Sequence, residues 1–435
     1  MLPSKRLAGA VTLALTLAAG PAVAGQFDYS LYAGVEHSDN INLSATAPVS
    51  QSVLVPGLGF GYVEQGATLQ AHVTGGAEYR DYLGGAYANQ KFGELAGVAD
   101  WTILPERLDF VAQDYASVQP LSTLSSDAPG NQQQTNVLTL GPTLHFDLGR
   151  AVRGQAELHY IGSHASRATQ FNSSRGEGAL RLARDISPIS ELSLNLESEQ
   201  VAFDEPSEID YRRDRLFFRY AHKLAHMDMD VAAGWSHVRF DDGRTTSDPL
   251  VRASANWQAT ARNTLGVSYT RDYSDAAQEL LAMADPVQGG VRPSAPASIQ
   301  TGGAVIASAA YLERRVRGYY GFGGERLTAS LSPWYRKLHY IEGVNPDQTG
   351  RGGDAGLNYR VRERLTLWAF ANVERINYQV LARRDTTRNL GIGLRQAYNS
   401  HWSWRLSLVD RRRTSTAPGG RYHAKEAYFG IVYQR

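Results

Sequence analysis

The sequence predicts an all-β protein: a single transmembrane antiparallel β-barrel of about 20 strands, or about 18, with short periplasmic turns and longer extracellular loops. Three observations carry that expectation. Long stretches alternate apolar and polar residues with period two, the connections between them are short and long in turn, and an apolar leader precedes them all. The chain has 435 residues, a formal net charge of +1 and no cysteine. It is therefore not an overall basic nucleic-acid binder, and it has no disulfide framework, thiolate metal site or cysteine nucleophile.

The leader is "MLPSKRLAGAVTLALTLAAGPAVA", residues 1–24. Lys5 and Arg6 form a positive start, Leu7 to Ala19 an apolar run, and Ala22-Val23-Ala24 a small-residue cleavage site. This is the pattern of a secretory signal peptide, and the apolar run is too short for an anchor. Residues 25–435 are then expected to form the barrel, exported to the bacterial outer membrane.

The first strand alternates Phe27, Tyr29, Leu31, Ala33 and Val35 with Asp28, Ser30, Tyr32, Gly34 and Glu36. In "TLQAHVTGGAEYR", Leu69, Ala71, Val73, Gly75, Ala77 and Tyr79 oppose Gln70, His72, Thr74, Gly76, Glu78 and Arg80. Val152 to Tyr160, Asp228 to Trp235 and Leu365 to Glu374 repeat the pattern. Successive side chains of a strand point to opposite faces, so each run separates an apolar from a polar environment. Runs of about ten residues exceed the ~5–6 of soluble sheets and match the ~9–11 that cross a bilayer. A mean hydropathy of −0.35 fits a barrel whose inner face is wet.

Short connections fall at Glu64 to Ala67, Pro105 to Arg107, Asp147 to Arg150, Ser187 to Ser190 and Thr260 to Asn263. Gly323 to Arg326, Arg362 to Arg364 and Tyr398 to His401 continue the series. Long polar loops lie between them: Asp39 to Ser50, Pro120 to Gln134, Ala165 to Arg175, Ala276 to Gln300, Gly343 to Gly353 and Ser415 to Arg421. The corner Glu-Arg-Leu recurs at 106–108, 325–327 and 363–365, and its leucine marks where the returning strand enters the apolar band. Two regions are the weakest as strands: the hairpin around Leu182 to Leu192 and the segment Val305 to Phe322. "DAAQELLAMADP" has the composition of a short helix, capping the mouth or folding into the lumen.

The last strand, "HAKEAYFGIVYQR", alternates Phe429, Ile431 and Tyr433 with Tyr428, Gly430 and Val432. It resembles the signal read by outer-membrane assembly machinery, although it ends on Gln434-Arg435 rather than an aromatic. Trp101, Trp235, Trp257, Trp402 and Trp404 lie in the apolar register and read as an interfacial girdle.

Charge is unevenly placed. From Tyr311 onward roughly 22 Lys and Arg face roughly 10 Asp and Glu. Alternation points Arg336, Arg360, Arg395 and Arg405 inward near Trp334 and Trp368, a set suited to an anionic or sugar polymer because aromatics stack on sugars and guanidinium pairs with carboxylate. Internal salt bridges, to Glu374 for example, are the plainer alternative. Asp241-Asp242 and His237 lie where a strand meets a loop, and acids there are ordinary turn formers. The sequence contains neither a His-Glu-x-x-His motif nor a phosphate loop before a helix, so no catalytic residue, metal or cofactor is expected.

"LYAGVEHSDNINLS" at Leu31 to Ser44, the many hairpins and the closing "YFGIVYQR" resemble the porin-like outer-membrane β-barrel proteins associated with PEP-CTERM/exosortase and exopolysaccharide systems. The resemblance implies a channel taking part in exopolysaccharide export or surface attachment. A general diffusion porin and a non-conducting scaffold or adhesin are the alternatives. Expected partners are outer-membrane lipids and lipopolysaccharide, the assembly machinery through the C-terminal strand, polysaccharide and export-system proteins, and no nucleic acid.

Overall fold

The computed structural model describes residues 25–149, 151–284, 309–341 and 345–435. The signal-peptide reading of 1–24, most of the loop 276–300 and the start of the segment from Val305 lie outside them.

Twenty strands follow one another along the chain. They are β1 (Gln26–Ser38), β2 (Gln51–Gln65), β3 (Leu69–Tyr82), β4 (Gln90–Leu104) and β5 (Leu108–Pro120). Next come β6 (Gln132–Leu148), β7 (Val152–Ala165), β8 (Ser173–Ser187), β9 (Ser190–Phe203) and β10 (Tyr211–Lys223). The third group is β11 (Met227–Phe240), β12 (Thr245–Thr260), β13 (Asn263–Ser274), β14 (Tyr311–Gly323) and β15 (Leu327–Tyr340). The last is β16 (Gln348–Arg362), β17 (Leu365–Tyr378), β18 (Arg383–Ala397), β19 (Trp402–Ser415) and β20 (Tyr422–Gln434). A helix, α1 (Ala276–Ala284), follows β13. No described helix is long and apolar enough to cross a membrane.

Every strand pairs antiparallel with its neighbours in sequence, and β1 closes on β20 from Ser30↔Gln434 to Ser38↔Glu426. Tyr29 and Arg435 exchange both backbone hydrogen bonds at 2.9 Å and seal the seam's end. The barrel therefore has no free sheet edge.

The polarity is inverted relative to a soluble protein. Outward positions carry Leu31, Val35, Leu158, Leu216, Phe218, Ile392 and Phe429, all exposed. Buried positions carry charge: Arg213 and Glu199 are each 1 % exposed, while Leu158 is 67 % exposed. Trp101, Trp257 and Trp402 lie outward near the short-turn end, whereas Trp235 is outward nearer mid-strand.

Connections are short and long in turn over most of the chain, but β17–β18 and β18–β19 are each joined by four residues. Leu108, Leu327 and Leu365 begin β5, β15 and β17, so each Glu-Arg-Leu corner is a tight turn. The weakly marked hairpin around Leu182 to Leu192 is present as β8–β9. Three expected loops are too long. Gln132–Gln134 and Ser173–Arg175 belong to β6 and β8, and Gln348–Gly353 belongs to β16. The glycines there misled by composition: a Cβ on Gly350 or Gly352 would meet the Trp334 ring within 3.0 Å, so the strand is glycine-rich because an indole lies on it. Gln134 has a local duty as well. Pairing between β4 and β5 stops at Leu95↔Ala116, and beyond it the Gln134 amide accepts from Gly93 N at 3.0 Å and donates to Gly93 O at 2.6 Å.

The motif behind the family resemblance shapes the first loop. Asn40 donates to Ser44 O and His423 O, and Lys425 N donates to Asp39 at 2.7 Å. The segment is thereby clipped to β20 beside the closing seam, with Ile41 and Leu43 buried.

Leu158 lies mid-way along β7 and outward, where a soluble protein would accept a charge within about 0.5 kcal/mol. In a bilayer, Leu158→Arg is expected to destabilise the inserted barrel by ~2–4 kcal/mol in urea unfolding from vesicles. A change below about 0.5 kcal/mol would contradict a lipid-facing wall.

Candidate functional site, the occluded lumen

A twenty-stranded barrel encloses more space than its wall side chains alone fill. Here the half nearer the long loops is packed, whereas Gln70, His72, Asn358 and Arg360, inward near the short turns, are exposed. Two chain segments fold in to produce that asymmetry.

The first is α1. Asp275 caps it, one carboxylate oxygen accepting from Ala277 N at 2.9 Å and Gln278 N at 3.1 Å. The other oxygen accepts from Arg175 and from the Tyr211 hydroxyl, both at 2.6 Å. One turn on, Glu279 accepts from Arg315 at 2.7 Å, Arg336 at 3.0 Å and Tyr311 at 3.2 Å. Between them, Gln278 accepts from Arg213 and donates to Glu199, which itself pairs with Arg213. Ala276, Ala277 and Leu280 pack on Val137, Ile161, Ala165 and Phe171. The helix thus ties the β6–β7 wall to the β14–β15 wall across the lumen.

The second is the segment 121–131 between β5 and β6. Arg413 donates to Ser125 O at 2.6 Å and Thr123 O at 3.2 Å, and Arg383 donates to Leu124 O at 2.5 Å. Asp385 holds both arginines, at 2.5 Å and 2.9 Å. Carbonyls of a loop that leaves β5 are therefore docked on β18 and β19.

The six residues expected to form a basic, aromatic wall fall into three groups. Arg336 faces the Trp334 ring at 5.7 Å and is neutralised by Glu279. Arg405 lies over Trp368 at 4.9 Å, opposite Arg395, which donates to Gln434 at 2.7 Å. Arg360 is turned to the short-turn end and donates to Glu325 O. Trp368 stacks with Phe370 at 5.9 Å, and both line a cavity of about 540 Å³ with Arg395, Arg405, Arg411 and Glu426. A second cavity of about 330 Å³, beside Arg336 and Glu374, adjoins the docked segment 121–131. His237 pairs with Ser247, and Asp242 holds Arg244 as a turn former. No group of three or more metal-ligating side chains occurs among the described residues.

Sequence reasoning missed Asp275, Glu279, Arg175, Arg213 and Arg413. Their partners lie tens to hundreds of residues away, and strand parity gives a direction without a partner.

No family model and no curated relative matches the chain by sequence. Among solved structures the barrel is similar to the FrpB iron transporter of Neisseria meningitidis, at 8 % identity and TM-score 0.44, covering 94 % of this chain and 82 % of that one. It is also similar to the siderophore receptor PirA of Pseudomonas aeruginosa, at 11 % identity and TM-score 0.45, covering 94 % and 80 %. The ferric enterobactin receptor PfeA of the same organism matches at 11 % identity and TM-score 0.47, covering 94 % and 81 %. Likenesses this distant give no information on cargo or site.

Burial alone would raise the Asp275 carboxyl, yet Arg175, with Arg213 and the Tyr211 hydroxyl, holds it well below the ordinary range. Glu279 is likewise lowered, burial being outweighed by Arg336 and Arg315. A depressed carboxylate stabilises the docked helix fully above its unfolded value and loses that contribution as pH falls through the folded value. Conductance in planar bilayers should therefore be flat from about pH 7 to pH 5 and rise only below the usual carboxylate range of about 4. Glu279→Gln, which leaves Arg336 without its counter-charge and Arg315 with Glu313 alone, should raise it already at neutral pH. A rise between about pH 7 and pH 5 that persists when Asp127, raised by burial in the segment 121–131, is replaced by Asn would contradict these pairings.

Proposed function

We propose that the protein is an outer-membrane channel, closed in this state by α1 and the segment 121–131, whose cargo is an anionic, sugar-bearing polymer such as an exopolysaccharide. The apolar outer face and charged lumen support the membrane reading. In that reading the short turns face the periplasm, residues 1–24 are a removed signal peptide, residues 25–435 are the barrel, and β20 is the strand that assembly machinery engages.

One observation carries the cargo assignment. The Trp368–Phe370 stack, with Arg405 and Arg395 beside it, offers a flat face for a sugar ring and guanidinium forks for a carboxylate. The cavity of about 540 Å³ is large enough for a short stretch of such a polymer. It lies on the side of the docked loop that continues toward the short turns, where export-system proteins would meet the barrel. The occluded lumen argues against a general diffusion porin and favours, as the second reading, a non-conducting scaffold.

Excision of 276–284 separates these readings. The excised barrel should conduct, and an oligosaccharide containing glucuronate should block it, about tenfold more weakly with Trp368→Ala, the loss of ~1.4 kcal/mol of stacking. Deletion of the gene should lower surface polysaccharide. A large constant conductance in the wild type would instead identify a diffusion porin. A silent excised barrel with normal surface polysaccharide would identify a scaffold.

A further inference from the structure

From Tyr311 onward strand parity sends the basic residues two ways. Arg315, Arg336, Arg383, Arg411 and Arg413 turn inward, where each has a carboxylate partner. Arg317, Arg360, Arg395 and Arg405 turn inward as well, whereas six others turn outward and meet one another in pairs. Arg314 on β14 is directly opposite Lys337 on β15, Arg351 on β16 opposite Arg375 on β17, and Arg388 on β18 opposite Arg412 on β19. Like charges directly opposite on an antiparallel pair are unfavourable. Three such pairs side by side form a continuous cationic belt across six strands.

Acids on the same face do not relieve it. Asp347 is paired with His339 at 2.6 Å and Asp410 with His423 at 2.7 Å. Among the described residues, Arg314, Lys337, Arg351, Arg388 and Arg412 have no carboxylate within salt-bridge distance. Arg212 on β10 is also opposite Arg239 on β11, but there Asp214 pairs with Arg212 at 3.0 Å, and further round the rim the charge ends. Close to the loop end of β6 to β9, the outward positions are Gln134, Gly162, Gly176 and Gln200, all uncharged.

Depth identifies the partner. Two residues further from the loops, the same outward rows carry Val316, Tyr335, Gly353, Val373 and Leu390, with Asp410, held by His423, on β19; below them Leu357, Ile392 and Leu408 are exposed and apolar. At a rise of about 3.3 Å per residue along strands tilted by ~40°, the cations sit ~5 Å above the start of the apolar surface. That is headgroup level over acyl-chain level.

We propose that this face binds the phosphorylated headgroup of an anionic glycolipid in the leaflet at the loop end, with Arg351, Arg388 and Arg412 gripping phosphate and the apolar rows below holding its acyl chains. Guanidinium forks match phosphate oxygens two by two, and one doubly phosphorylated headgroup neutralises adjacent like-charge pairs at once. A free phosphate ion would satisfy the charges but would leave the apolar rows unexplained. The assignment rests on the membrane reading above and is independent of cargo.

The test uses the full barrel folded in detergent, with its heat-modifiable gel shift as the check of folding. Native mass spectrometry would follow retention of bis-phosphorylated lipid A, its dephosphorylated form and inorganic phosphate. The phosphorylated lipid should be retained about tenfold better than the dephosphorylated form. Combined Arg351→Gln, Arg388→Gln and Arg412→Gln should abolish that preference while the gel shift persists. Arg388→Gln alone, expected to halve it or more, serves if the triple variant does not fold. Equal retention of both lipids, or an unchanged preference in a folded variant, overturns the proposal. Displacement of the lipid by inorganic phosphate alone also overturns it, assigning the belt to a free anion. A wild type that will not insert into vesicles instead defeats the membrane reading itself.

Discussion

Closure of β1 on β20 is the constraint on which everything else depends. In hydrocarbon no water is at hand for an unpaired backbone N–H or C=O, so a sheet that crosses a membrane must return to its first strand. Once it does, side chains have two destinations: an outer face that must be apolar and an inner face that need not be. The period-two alternation, the even strand number and the outward leucines are consequences of that one requirement. The Asp39–Asn40 clip onto β20 lies where the closure is made, which gives the conspicuous N-terminal motif an architectural duty.

Closure creates a second problem, a lumen wider than the wall can fill. The chain solves it with charge. Arg213, Glu199, Arg175, Asp275 and Glu279 are almost wholly buried and form connected pairs across the barrel. Buried ions cost desolvation that only good geometry and further hydrogen bonds recover. Their worth here is in direction: an apolar plug would slide, whereas Asp275 on Arg175 and Glu279 on Arg315 and Arg336 fix the position and rotation of α1. Removing one partner of such a pair strands the other, so the device is stable when complete and readily released when not.

Much of this was legible in the sequence. Alternation and the short–long rhythm of turns gave the barrel and its strand count, because both are local consequences of the pleat. Leu108, Leu327 and Leu365 begin their strands as read, and the helix was anticipated in "DAAQELLAMADP". What failed was non-local. Gly350 and Gly352 look like a loop until Trp334, on another strand, is laid over them. The basic C-terminal region reads as a single lumen wall, yet its arginines divide among inward ion pairs, the inward Arg395 and Arg405 beside Trp368, and an outward belt. Glu374 is the sequence's example of an acid for the basic wall, whereas Arg336 pairs with Glu279, from a loop whose path no periodicity encodes.

The chain has no cysteine, so single cysteines can be introduced and spin-labelled without background. Along β7 in lipid vesicles, labels at Ala156→Cys, Leu158→Cys and Tyr160→Cys should collide with dissolved oxygen and be shielded from a water-soluble nickel chelate. Labels at Gln155→Cys, Glu157→Cys and His159→Cys should show the reverse. A strict period-two exchange between the two reagents is the result the closed, inverted barrel predicts. Nickel access on both faces, or an apolar face that points inward, would contradict it.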